Sequence, residues 1–188
     1  MKTKMLLYFR LLVMIALTLA TPACQLEEPL SPEAQRFKDA VRGQLAMLEP
    51  GVVKGLAADD EAAVDEALMA YFGQTPWLEE PCSYSVHVVN GQHLYVAGRW
   101  HAPGSQSAAS VKKEWVRYSN FKDIFDELEG GRVKPVRLYD QDGPFVVICA
   151  PLRRDDKFIG AIGLILPDDC LPGRFDLTPD QVLAIDYN

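Results

Sequence analysis

Behind Ser31 the apolar residues fall three and four apart: Phe37, Val41, Leu45 and Leu48. That is the period of one buried helix face, and it predicts a helix over 32–48. Ser31 as N-cap, Pro32 at the first helical position and Glu33 in the first turn mark its start. Pro50-Gly51 predicts a break, with 52–57 resuming as a short turn. Asp59 and Asp60 cap a second helix to about Phe72, with Val64, Leu68, Met69 and Phe72 on its apolar side and Gly73 as its stop. After Pro81-Cys82 the period drops to two. Tyr84, Val86 and Val88 alternate with Ser85, His87 and Val89, predicting a strand over 83–89. Asn90-Gly91 is a tight-hairpin signal, and 92–100 returns as its partner.

The segment 102–110 is small and Ser-rich and reads as a loop, and the mixed stretch 111–118 leads into a short helix over 120–128. Gly130-Gly131 stops that helix. Three strands follow at 133–139, 145–152 and 158–166, the last so apolar that it is expected in the sheet centre, covered on both faces. Residues 167–172 leave the sheet, and Thr178-Pro179-Asp180 caps one last helical turn. This order predicts an α+β domain, a five-stranded antiparallel sheet with the N-terminal helices packed on one face. No internal repeat or second domain is visible.

Ahead of that body, residues 5–19 form an apolar run interrupted by Arg10 and Thr18. Lys2 and Lys4 precede it and Ala20-Thr21-Pro22-Ala23 follow. A charged start, an apolar run too short to span a bilayer securely and a small-residue exit predict a signal peptide over 1–23. Arg10 argues against an uncleaved anchor. Cys24 comes next, and the whole resembles a bacterial lipoprotein signal, in which the cysteine becomes the lipidated N-terminus. Thr21 departs from the Leu usual at its position. The resemblance implies an envelope protein, periplasmic or on the cell surface, joined to the membrane through lipid on Cys24 only. The other reading is a soluble protein cleaved after Ala23. Residues 24–31 are polar and contain Pro29, which suits a tether.

Removing 1–23 takes away three basic residues and no acidic ones, so 16 Lys and Arg face 26 Asp and Glu, a net charge of −10. That balance argues against nucleic acid as a partner. An exported compartment permits disulfides among Cys82, Cys149 and Cys170. Cys149, mid-strand, reads as a small buried hydrophobe. His87, His93 and His101 lack metal-ligand spacing, and no metal or other cofactor is expected. Nucleophilic catalysis would need Cys149 or a serine with a histidine as base, and His87 could come near Cys149 across the sheet. No nucleophile elbow or phosphate loop supports this, so an enzyme is not expected.

Two segments carry a family likeness. Arg117-Tyr118-Ser119-Asn120-Phe121-Lys122, leading through a short helix to Gly130, resembles the motif before the short helix of Cache domains, extracytoplasmic sensors with a PAS/profilin-like sheet. Val146-Val147-Ile148-Cys149-Ala150-Pro151-Leu152 and Phe158-Ile159-Gly160-Ala161-Ile162-Gly163-Leu164 resemble that family's closing strand pair. The likeness covers roughly 32–167 in element order, and the sensor domain it implies is 32–170, with 171–188 as a C-terminal extension. It implies a sensor for a small organic solute, such as a carboxylate or an amino acid, held between the sheet and the short helix. The amino-acid-binding subgroup ends its last strand with an Asp where this chain has Leu164-Ile165. Relatives also continue into a transmembrane helix and a signalling module. About twenty residues follow the last strand here, so a separate membrane signalling or transport protein is the expected partner.

A carboxylate needs a two-pronged cation among rings that exclude water. Arg117 with Trp115, Tyr118 and Tyr139 fits that need, and Trp100 is a further candidate. In the PAS-like strand order the first and last strands are antiparallel neighbours, which implies a disulfide between Cys82 and Cys170. The second functional reading is an envelope lipoprotein using the fold as a protein–protein interaction module without ligand.

Overall fold

Ser31 accepts a hydrogen bond from the Ala34 N–H at 3.1 Å, and Pro32 opens the first helix as the sequence predicts. The computed structural model describes residues 29–74, 82, 84–90, 93–100, 108–115, 122–140 and 143–188. The signal peptide, Cys24, most of the tether, Arg117 and Tyr118 lie outside the described residues. Helix α1, Pro32–Ala57, does not break at Pro50 but runs through it. A proline inside a helix costs on the order of 3 kcal/mol. Leu48, Val52 and Leu56 are buried on both sides of it, and each such burial is worth roughly 1.5–3 kcal/mol. Gly51 and Gly55 face α2, Glu61–Phe72. A Cβ on Gly51 would stand 2.8 Å from that of Ala67, and one on Gly55 2.7 Å from a Val64 methyl. The residue pair read as a breaker therefore contains a contact that lets the two helices close. Met69, expected on the apolar side of α2, is exposed, and Tyr71 takes a buried place instead.

The sheet has six antiparallel strands in the order β3-β2-β1-β6-β5-β4. They are β1 Tyr84–Asn90, β2 His93–Trp100, β3 Ala108–Trp115, β4 Lys134–Asp140, β5 Gly143–Arg154 and β6 Lys157–Pro167. Five are the predicted strands. The sixth, β3, takes in residues read as loop and mixed stretch. It is an edge strand paired along all of β2, from His93 with Trp115 to Trp100 with Ala108. Backbone pairing supplies the order that its weak apolar pattern does not. β6 lies between β1 and β5, covered on both faces as expected.

Alternation gives the sheet two different faces. Val86, Val88, Ile148, Ile162 and Leu164 pack with α1 and α2 in the main core. On the other face Val89, Leu94, Val147 and Ala161 form a second cluster with Phe125 and Leu128 of α3, Lys122–Glu129. Residues 171–188, expected as an extension, are instead part of the main core. Here α4, Cys170–Phe175, and α5, Pro179–Leu183, bring in Leu171, Leu177, Val182, Ile185 and Tyr187. The rings of Phe175 and Tyr187 meet Phe37 edge-on, with centroids at 4.8 and 6.5 Å. Asn188 accepts the Val133 N–H at 2.8 Å, and Arg42 donates to the Tyr187 carbonyl. Apolar residues scattered over two short helices carry no periodic signal, yet each removes surface from water. Among the described residues no helix is long and apolar enough to cross a membrane.

Candidate functional site

In α3, Phe125 and Leu128 are buried while Asp126, Glu127 and Glu129 are exposed. Its apolar stripe covers the sheet face turned away from α1 and α2, where Phe125 meets Phe158 with ring centroids 5.9 Å apart. Two cations hold the helix down. Arg153 donates to the Glu129 carbonyl at its C-terminal end and to the Asp156 carbonyl in the β5–β6 turn, and Lys134 pairs with Glu127. Cations at a helix C-terminus satisfy open carbonyls and complement the helix dipole. Gly131, at φ +87°, then turns the chain into β4.

Between α3 and the sheet is a cavity of about 250 Å³. Its walls include His87 and Val89 of β1, Val136 of β4, Cys149 of β5, and Ala161 and Gly163 of β6. Register explains the hollow. His87, Gly163 and Cys149 lie in one row across β1, β6 and β5, and the middle member has no side chain. A Cβ there would stand 3.0 Å from a Val147 methyl. On its other face β6 carries the bulky Ile162, Leu164 and Leu166, all in the main core. No Asp, Glu, Lys or Arg lines the cavity among the described residues.

The two polar side chains among the described lining are held neutral. Burial lowers the His87 imidazole to about 4 and pushes the Cys149 thiol up to about 12, against a weaker opposing pull from Lys134. The two stand two strand spacings apart, roughly 10 Å. A protonated thiol and a poorly basic imidazole at that separation do not make a nucleophile–base pair. A larger cleft of about 640 Å³ lies beside the β5–β6 turn, lined in part by Glu129, Arg154, Asp155 and Lys157. These side chains are exposed and of both signs, which makes solvated surface rather than an enclosed apolar site.

The residues expected to grip a carboxylate are only partly placed. Trp100 ends β2 in register with Ala108, and Trp115 closes β3 in register with His93. Their backbones are thus at opposite ends of the β2–β3 pair, roughly 20 Å apart. Tyr139 does not join the cavity: it is 71% exposed. Alternation along β4 sends it to the side opposite Val136, with Arg137, whose guanidinium lies 5.6 Å from its ring centroid. Arg137 in turn donates from Nε to the buried Asp168 at 2.8 Å. Cys82 and Cys170 are buried free thiols rather than a disulfide, with Cys82 neighbouring Cys170. Burial, and then that neighbour, raise the Cys170 pKa. His87, Ala161 and Gly163 were not singled out as site residues by the sequence. A signal existed in the size contrast between the two faces of the last strand.

No family model and no curated protein matches the sequence. Among solved structures, the chain is similar to the extracellular domain of a protein described as a histidine kinase. The TM-score is 0.56 at 11% identity, over 79% of this chain and 57% of that one. It is similar also to a domain from Vibrio parahaemolyticus described as a sensory box/GGDEF family protein, with TM-score 0.55, 11% identity, and 79% and 60% covered. The chain spans about three fifths of the length of these structures. Its antiparallel sheet, with N-terminal helices on one face and a short helix over the other, is a PAS-like α+β fold, shared with these two solved domains.

Proposed function

We propose that the protein is an exported domain, tethered by lipid on Cys24, that binds a small organic solute under α3 and acts with a separate membrane signalling or transport protein. The observation that carries this reading is the apolar, partly open cavity between α3 and the sheet. Arg117 and Tyr118 stand in the chain between the end of β3 and the start of α3, next to the helix that roofs the cavity. With Trp115 they are the proposed further contacts, Arg117 taking any acidic group that reaches out of the cavity, while Trp100, at the other end of the β2–β3 pair, is left out. Tyr139 is left out of the set because of its place on the opposite side of β4. In an oxidising compartment Cys82 and Cys170 are proposed to join as a disulfide.

A thermal-shift screen of organic acids, amino acids and small neutral compounds tests the solute reading. A ligand that binds only the folded state raises Tm. For an acidic ligand, Arg117→Ala is expected to weaken binding about tenfold, as loss of a charge-assisted pair does. Unchanged affinity would remove Arg117 from the site. A null over the whole panel would leave the fold as an interaction module.

A further inference from the structure

We propose that the cavity takes an uncharged, mainly hydrocarbon molecule of about six to ten non-hydrogen atoms, a single-ring phenol or an indole, with its one polar atom turned to His87. The inference rests on the reading above that the cavity is the solute site, and it adds the chemistry of the solute.

Size sets the first bound. An apolar protein cavity of about 150 Å³ takes up benzene. A volume of about 250 Å³ has room for one ring with a substituent, or for two small fused rings. The walls set the second. Val89, Val136, Val147 and Ala161 present hydrocarbon, and Phe125 from the roof offers a ring for edge-to-face contact. Charge sets the third. With no ionic side chain among the described lining, a carboxylate or ammonium group buried inside the cavity would give up its hydration without a charged partner among those residues. The Cys149 thiol is a soft neighbour suited to an aromatic ring. Among the described lining His87 is the stronger hydrogen-bonding partner, a neutral imidazole having one donor and one acceptor nitrogen that match one hydroxyl or one ring N–H. Burial keeps that imidazole neutral at ordinary pH, so it offers no positive charge to an acid.

The test sets phenol and indole against benzoate and L-isoleucine on the purified protein, by thermal shift and calorimetry. The neutral compounds are expected to bind at least about tenfold tighter than the charged ones, the penalty for burying an unpaired charge being larger than that. At a tenfold excess over Kd they should raise Tm by roughly 3–6 °C. Intermolecular NOEs from phenol to the methyls of Val89 and Val147 should place it in the cavity. Ala161→Leu, which fills the cavity, should abolish phenol binding while leaving the far-UV circular dichroism unchanged. Should that variant fail to fold, the NOEs decide. Benzoate or isoleucine binding as tightly as phenol, or phenol bound without those NOEs, overturns the solute class while leaving solute binding in place. Silence from all four probes and from the wider panel removes both readings.

Discussion

At the scale of single residues, His87 has the most to say about solution behaviour. Its imidazole lines an apolar cavity, and burial lowers its pKa to about 4. The unfolded chain takes that proton near pH 6.5. On acidification the unfolded state is therefore protonated first, and the folded state loses stability as pH falls from about 6.5 to 4. Above 6.5 the contribution is fully present. The gap between the two values corresponds to on the order of 3 kcal/mol. His87→Asn cannot be protonated in this range and is expected to flatten that part of a Tm-against-pH profile. A wild-type slope no steeper than the variant's would show that His87 protonates freely in the folded protein. Gly160 is a residue of another kind: a Cβ there would overlap the Val89 carbonyl oxygen of the neighbouring strand, so its absent side chain permits β1 and β6 to pair.

At the scale of elements, α1 carries three interior glycines that behave differently. Gly43 has open space around it, whereas Gly55 faces Val64 across the crossing with α2. Gly43→Ala is expected to stabilise the protein by about 0.5–1 kcal/mol through helix propensity and a less free unfolded chain. Gly55→Ala gains the same propensity but forces two helices apart, with a net loss of about 1–2 kcal/mol. Urea unfolding of the two variants checks this, and equal shifts of one sign would refute the close crossing. This contrast also marks what was legible. Helix caps at Ser31 and Asp60, the period change after Cys82 and the three closing strands are local signals, and the structure has them all. Pro50-Gly51 was misread because a local breaker is outweighed by long-range burial of Leu48, Val52 and Leu56. β3 was missed because Ala108-Ala109-Ser110 has no strand signature apart from its pairing with β2. The cavity is less legible still. Its walls meet only once distant strands are in register, and the missing side chain at Gly163 matters only because His87 and Cys149 flank it.

For the molecule as a whole, the antiparallel pairing of β1 with β6 brings Cys82, before the one, to the same end of the sheet as Cys170, after the other. A disulfide there would close a loop of about 90 residues, on the order of 4 kcal/mol in the chain-entropy account. One intact-mass and peptide-mass measurement on unreduced protein from the exporting cell tests both proposed covalent features. The expected result is an N-terminal Cys24 peptide heavier by its lipid, and the Cys82 and Cys170 peptides joined with the loss of two hydrogens. An unmodified Cys24 would favour the soluble reading, and two alkylatable thiols would rule out the bond.

The two-faced sheet has a further consequence. α1, α2, α4 and α5 form one layer, and Asn188 and the start of α1 both belong to it, Lys38 reaching the Asn188 carbonyl at 3.4 Å. Among the described residues, α3 and the cavity make up the opposite layer. The molecule thus has a back and a front. The chain enters α1 on the back, the face opposite the cavity.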